Sequence, residues 1–254
     1  MIKSYEVSFI NNRSTIKNTK NKTGGKSMKT GFLKWLVAGM MAVVLLLGAA
    51  PLTMAEGGFY ADLSYVSNNP GSGFNGDTYF TDSVYRVGKP ALQSGGGFAV
   101  TAGIYAEIVA LELTYANSSH SGSCHVGGYH WDGTANLNVL DLNMKLFLDP
   151  ESSVKPYGLF GLSFPWVNLP GAEHNTSDVA TGDATYWGFG LNLGGGVDFK
   201  LAERFHIKGE VIYRWAGYGS AYGSNMGSGS LPDFVDGSGV NITIGAQYTI
   251  VKFE

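Results

Sequence analysis

YWGFGLNLGGGVDFKLAERFHIKGEVIYRW, residues 186–215, decides the fold. Its odd positions Trp187, Phe189, Leu191, Leu193, Val197, Phe199 and Leu201 are apolar, and its even positions Gly188, Gly190, Asn192, Gly194, Asp198 and Lys200 are small or polar. Period two is the mark of a strand with unlike faces. After a short polar turn at Ala202, Glu203 and Arg204, the apolar row resumes with Phe205, Ile207, Val211, Tyr213 and Trp215 against His206, Lys208, Glu210 and Arg214. Gly195, Gly209 and Ile212 break the pattern. The arm from Trp187 to Leu201 would reach roughly 46 Å, or roughly 33 Å of height at a 45° tilt, enough to cross a bilayer. A tryptophan ends each arm away from the turn, and Phe199 and Phe205 flank the turn. Aromatic belts bounding an aliphatic band predict a transmembrane β-barrel.

Working outward, the same alternation recurs. Phe59, Ala61, Leu63 and Tyr65 form one apolar row; Phe98, Val100, Ala102 and Ile104 a second; Val109, Leu111, Leu113 and Tyr115 a third. Leu140, Leu142, Met144, Leu146 and Leu148 follow, then Phe160, Leu162 and Phe164, and finally Val240, Ile242, Ile244, Ala246, Tyr248 and Ile250. With the opening hairpin this makes about eight strands. Long polar connections (about 68–96, 117–133, 165–185 and 215–238) alternate strictly with tight turns, as in barrels with short periplasmic turns and long external loops. An open sheet edge cannot be satisfied in lipid, so the first and last strands must pair. The expected fold class is all-β: an eight-stranded antiparallel up-and-down transmembrane β-barrel, preceded by a signal peptide.

That leader is read at residues 28–55, MKTGFLKWLVAGMMAVVLLLGAAPLTMA, with basic Lys29 and Lys34, an apolar core and small residues before Glu56. Translation is expected to start at Met28 and cleavage to follow Ala55, giving residues 1–55 as extension and signal and 56–254 as barrel. Eight of the 17 Lys and Arg but one of the 20 acids precede residue 56, which leaves nine bases against 19 acids, a net charge of −10. Such a chain is a poor partner for nucleic acid phosphates. One cysteine, Cys124, rules out an internal disulfide.

The tracts FAVTAGIYAEIVALELTY, NVLDLNMKLFL, VKPYGLFGLSF and GVNITIGAQYTIVKF resemble the small eight-stranded outer-membrane proteins of the OmpA/OmpX type, often labelled porin-family barrel proteins. The resemblance runs from about Gly58 to Phe253. It implies a Gram-negative outer membrane, contact with lipid and lipopolysaccharide, and insertion by the barrel-assembly machinery. One departure is that Glu254 follows Phe253, and Val251 and Phe253 fall out of phase with Tyr248 and Ile250, which puts the pairing of the last residues in question.

Candidate site residues lie on the inward rows. Asp62, Glu112, Lys145, Asp198 and Lys208 stand three to five residues from a periplasmic turn or terminus on five strands, so they are expected to form one layer, with Asp141, Glu210 and Arg214 higher. The cluster reads as a salt-bridged plug, because an eight-stranded interior has room for little beyond its own side chains; an ion-conducting or gated polar core is the functional alternative. His120, Cys124, His125 and His130 share a loop, but H-x3-C-H-x4-H matches no standard zinc spacing, so they are read as external loop residues with no metal. Neither cofactor nor catalytic residues are expected. The Gly-Ser-Gly tracts at 71–73 and 227–229 lack the strand-to-helix setting of a nucleophile elbow. The expected role is structural or surface-interacting; alternatives are a narrow channel for small or apolar solutes and a lipid-modifying enzyme.

Overall fold

The structure, a computed structural model, describes residues 57–253 apart from 72–73, 75, 77, 81–84, 127–128, 176, 178 and 226. The proposed leader therefore lies outside the described residues. Among the described residues eight long antiparallel strands close a ring: β1 (Gly57–Pro70), β2 (Gly95–Ala106), β3 (Val109–Val126), β4 (Tyr129–Phe147), β5 (Val154–Asn175), β6 (Ala180–Lys200), β7 (Phe205–Gly223) and β8 (Gly239–Phe253). Each strand pairs with its neighbours in sequence, and β8 pairs with β1 along the full length of the latter. Among the described residues four shorter strands, Thr78–Phe80, Tyr85–Gly88, Ala91–Leu92 and Gly227–Asp236, decorate the end where the long connections emerge.

Alternation decides which side chains meet lipid. Leu63, Val100, Leu113, Leu162, Leu191, Leu193, Val211, Ile242 and Ile244 are exposed on the outer face, while Asp62, Thr101, Glu112, Asn143, Ser163, Asn192 and Thr243 are buried within the ring. At the upper rim Trp166 stacks on Trp187 with ring centres 5.4 Å apart, and Tyr213 meets Trp215 edge-on at 4.5 Å. Near the short turns Phe59, Phe199 and Phe205 are exposed, and Phe59 packs edge-on against Phe253 at 5.2 Å. These are the two interfacial belts anticipated from residues 187–215.

Two features differ from the sequence reading. The connections read as loops are largely β-structure. The segment 117–133 is the top of the β3–β4 hairpin, β5 and β6 absorb most of 165–185, and β7 runs to Gly223 before Gly227–Asp236 folds back on it. On these stretches the outward row is polar (Ser121, Asp132, Thr134, Asn168, Thr185) and the apolar residues, such as Trp131, Val167, Leu169 and Tyr218, turn inward, so the lipid-facing period-two signal stops while backbone pairing continues above the bilayer. At the seam, Gly58 pairs with Lys252 and Phe59 with Val251, but Tyr60 pairs with Thr249. One extra residue on β8 makes a bulge there, which lets adjacent Ile250 and Val251 both face outward and resolves the phase slip of the last residues.

Inside, the two halves differ in chemistry. The upper half holds an apolar core of Phe74, Val87, Leu137, Val139, Val167, Leu169, Tyr186, Tyr218 and Val235. The β1–β2 connection builds its lid: Tyr85–Gly88 pairs with the top of β5, Ala91–Leu92 pairs with β3, and Phe74 wedges edge-on between Tyr218 at 5.2 Å and Tyr186 at 5.9 Å. Tyr186 also donates its hydroxyl to the Gly88 carbonyl at 3.1 Å. The lower half is polar and carries most of the buried charges, Glu173 and Lys89 lying in the upper half.

Candidate functional site

Lys145 is the hub of the polar half. Its Nζ lies 2.8 Å from Glu112 Oε1 and 2.6 Å from Glu210 Oε1, bridging β3 and β7 from β4 across the lumen. The same ammonium sits 4.4 Å above the Tyr157 ring, a favourable cation–π placement. Tyr60 donates to Glu112 Oε1 at 2.6 Å and Tyr157 to Glu210 Oε1 at 2.8 Å, so each carboxylate is held by a phenol as well as by an ammonium. Lys208 extends the chain, 3.2 Å from Asp62 Oδ1 and 3.5 Å from Glu210 Oε1, and Ser64 donates to the same Asp62 oxygen. Every member is nine-tenths or more buried. Two ammoniums face three carboxylates, leaving a formal charge of −1. A group removed from water at this depth holds its charge only with partners, and the network supplies them.

Of the eight candidate residues, the structure brings Asp62, Glu112, Lys145, Lys208 and Glu210 into this one network. Glu210, expected higher, belongs to it because it is adjacent on the inward row to Lys208. Asp198, expected in the layer, leaves it: Asp198 Oδ1 takes a 2.7 Å bond from His206 Nδ1 nearer the short turns. The reason is register, since Lys208 is the direct cross-strand partner of Asp198 but leans up to Asp62, leaving Asp198 to His206 below. Asp141 and Arg214 pair separately above, at 2.8 Å.

Tyr60 and Tyr157 escaped the sequence reading. Tyr60 could have been found, since it stands on the polar parity of β1 between Gly58 and Asp62. Tyr157 precedes the clear alternation of β5 and carries no such signal. Gly103 completes the fit, because a Cβ there would meet the Tyr60 ring at 2.3 Å.

The layer divides the free space. Below it a vestibule of about 750 Å³ opens between the short turns, lined by Tyr60, Lys155, Asp198, His206, Gln247 and Lys252 among others. Above it a pocket of about 30 Å³, roughly the space of two water molecules, lies among Asp141, Arg214, Asn241 and Thr243. Lining atoms of this pocket, including Asp141 Oδ1, Arg214 Nε and both amide atoms of Asn241, have no protein partner. Ordered water is the natural partner for such groups.

The loop residues of the sequence reading also separate. His120 and Cys124 face inward and are buried, while His125 and His130 are exposed on the outer face. His120 is thus a core residue: its Nδ1–H donates to the Gln93 carbonyl at 2.9 Å, and its Nε2 accepts from the Ser118 hydroxyl at 2.8 Å. Burial lowers its pKa, and burial raises that of the Cys124 thiol to about 11. Among the described residues no three His, Cys, Asp or Glu side chains form a set able to hold a metal ion.

A closed antiparallel ring with a lipid-facing aliphatic belt, two aromatic rims and a polar interior defines an outer-membrane β-barrel. The crystal structure of OprG from Pseudomonas aeruginosa shares this fold, with a TM-score of 0.52, 16% identity, and 78% of this chain covering 96% of that one. Neisserial surface protein A matches at a TM-score of 0.46 and 12% identity, 77% of this chain covering 99% of that one. Escherichia coli outer membrane protein W matches at 0.43 and 18%, with 76% and 98% covered. No curated protein matches the sequence. The chain belongs to the outer membrane protein beta-barrel domain family, whose pattern it matches over residues 40–249. It is a bacterial outer-membrane protein in a lipid environment.

Proposed function

We infer that this barrel is a closed, non-catalytic scaffold whose working surface is the β-structured extension outside the membrane. The observation that carries this is the filled cross-section: Lys145, Glu112, Glu210, Tyr60 and Tyr157 stand between the vestibule and the small upper pocket, beneath an apolar lid. The leader at residues 28–55 would deliver the chain to the periplasm, with the barrel-assembly machinery and lipopolysaccharide as the partners met on insertion.

Two arrangements bear on catalysis. Ser118 and His120 make a serine–histidine pair, but both are buried and the pocket touching Ser118 holds only about 30 Å³, too little for a lipid. Asp198 and His206 open on the vestibule, yet among the described residues no hydroxyl or thiol bonds the remaining ring nitrogen. Among the described residues a nucleophile, its base and space for a reacting group do not coincide.

Planar-bilayer recording of the purified barrel tests the reading. The expected result is no steady current; a reproducible single-channel conductance, altered in ion selectivity by Glu112→Gln, would establish the channel instead. Incubation with lipid A followed by mass analysis is expected to leave the lipid unchanged.

A further inference from the structure

At the top of the β3–β4 hairpin His125 and His130 are direct cross-strand partners. Both are exposed, on the outward row that continues down the hairpin as the pair Ser123 and Asp132, and their ring centres are 4.5 Å apart with 39° between the planes. Spacing along the chain hides this, because His120 and Cys124, which seemed to share their loop, point the other way.

The separation has a chemical meaning. Opposed residues on one face of an antiparallel pair have Cβ atoms about 4.5–5.5 Å apart, near enough for two imidazoles to reach one ion. A ring nitrogen about 2.0–2.1 Å from a metal places the ring centre roughly 3.2 Å from it. Two rings bound at a right angle then lie roughly 4.5 Å apart, and two bound at a tetrahedral angle roughly 5.2 Å. The observed 4.5 Å matches the right-angled spacing and is roughly 0.7 Å short of the tetrahedral one, so the pair needs less movement to take an ion of tetragonal preference.

We propose that His125 and His130 form a two-imidazole chelate for a divalent transition-metal ion of tetragonal preference, Cu²⁺ ahead of Ni²⁺. Imidazole suits both ions, and affinity rises to Cu²⁺ along the divalent series. Asp132, two residues from His130 on the same face, adds negative charge beside the site. Its carboxylate is not part of a converging set of three, so the remaining positions belong to water or to a donor from another molecule. The site stands on the hairpin that the reading above places outside the cell; the chemistry itself does not depend on whether the barrel conducts.

Titration of the detergent-solubilised barrel with CuCl₂, followed by calorimetry and electron paramagnetic resonance, decides the matter. One ion per barrel is expected, with two nitrogens in its first sphere. His125→Asn and His130→Asn should each weaken binding by at least roughly tenfold, since either change turns a chelate into a single ligand. In the unmutated protein, Cu²⁺ should protect both rings together from diethylpyrocarbonate, read on the hairpin peptide by mass spectrometry. Binding that survives either substitution, protection of one ring only, or no uptake overturns the proposal, and NiCl₂ bound more tightly than CuCl₂ overturns the stated preference.

Discussion

Lys145 shows what one buried charge does in this interior. Removing it leaves Glu112, among the described residues, held by the Tyr60 phenol alone and Glu210 by Tyr157 and the more distant Lys208, and breaking a buried pair in this way costs about 3–5 kcal/mol. Lys145→Met is therefore expected to lower stability by that amount in urea unfolding from phospholipid vesicles. The companion change Lys145→Met with Glu112→Gln and Glu210→Gln should recover much of the loss, because neutral partners of the same shape need no counter-ion. The inward charges were legible from parity and their distance from each turn. Which carboxylate joins which ammonium was not, because long side chains lean along the barrel axis. Lys208 reaches up to Asp62 rather than across to Asp198, and no spacing rule encodes that choice.

Among the elements, the β1–β2 connection depends on His120. Its ring links Gln93 in that connection to Ser118 on β3, inside the wall at the end of the barrel that carries the long connections. Burial lowers the folded pKa, so the neutral form is the one the fold keeps. The unfolded ring titrates near about 6.5. The stabilisation is thus fully present above that value and is lost progressively as pH falls from it toward the lowered folded pKa. Amide hydrogen exchange at residues 91–93 and 121–123, corrected for intrinsic rates, is expected to accelerate between pH 7.5 and pH 5, and His120→Gln should flatten that dependence. The membrane-crossing parts of the strands were readable because lipid demands an apolar residue at every second position. Above the rim that demand ends. Stretches such as 117–126 and 173–175 keep their ladder pairing with no lipid-facing apolar row to announce it, which is why they read as loops.

For the whole molecule, the rims fix the depth at which it sits. Trp166 and Trp187 stack at the upper rim with Trp215 alongside on β7, whereas Trp131 is buried in the apolar core and bonded to the Pro170 carbonyl. In vesicles of brominated lipid, a variant retaining only Trp187 is expected to be quenched most by bromines near the headgroup end of the acyl chain. One retaining only Trp131 should be quenched little at any depth. Equal quenching of the two would place the wall elsewhere in the bilayer. The seam carries a further consequence. Residues 57–70 find their second neighbour only in residues 239–253, nearly the whole length of the barrel away along the chain. Contacts between such distant segments form slowly, and until they form the first strand presents bare amides that hydrocarbon cannot solvate. Nothing short of the complete polypeptide can therefore settle into lipid: the nascent chain must travel unfolded, and a copy cut before residue 239 has no stable resting place in the membrane.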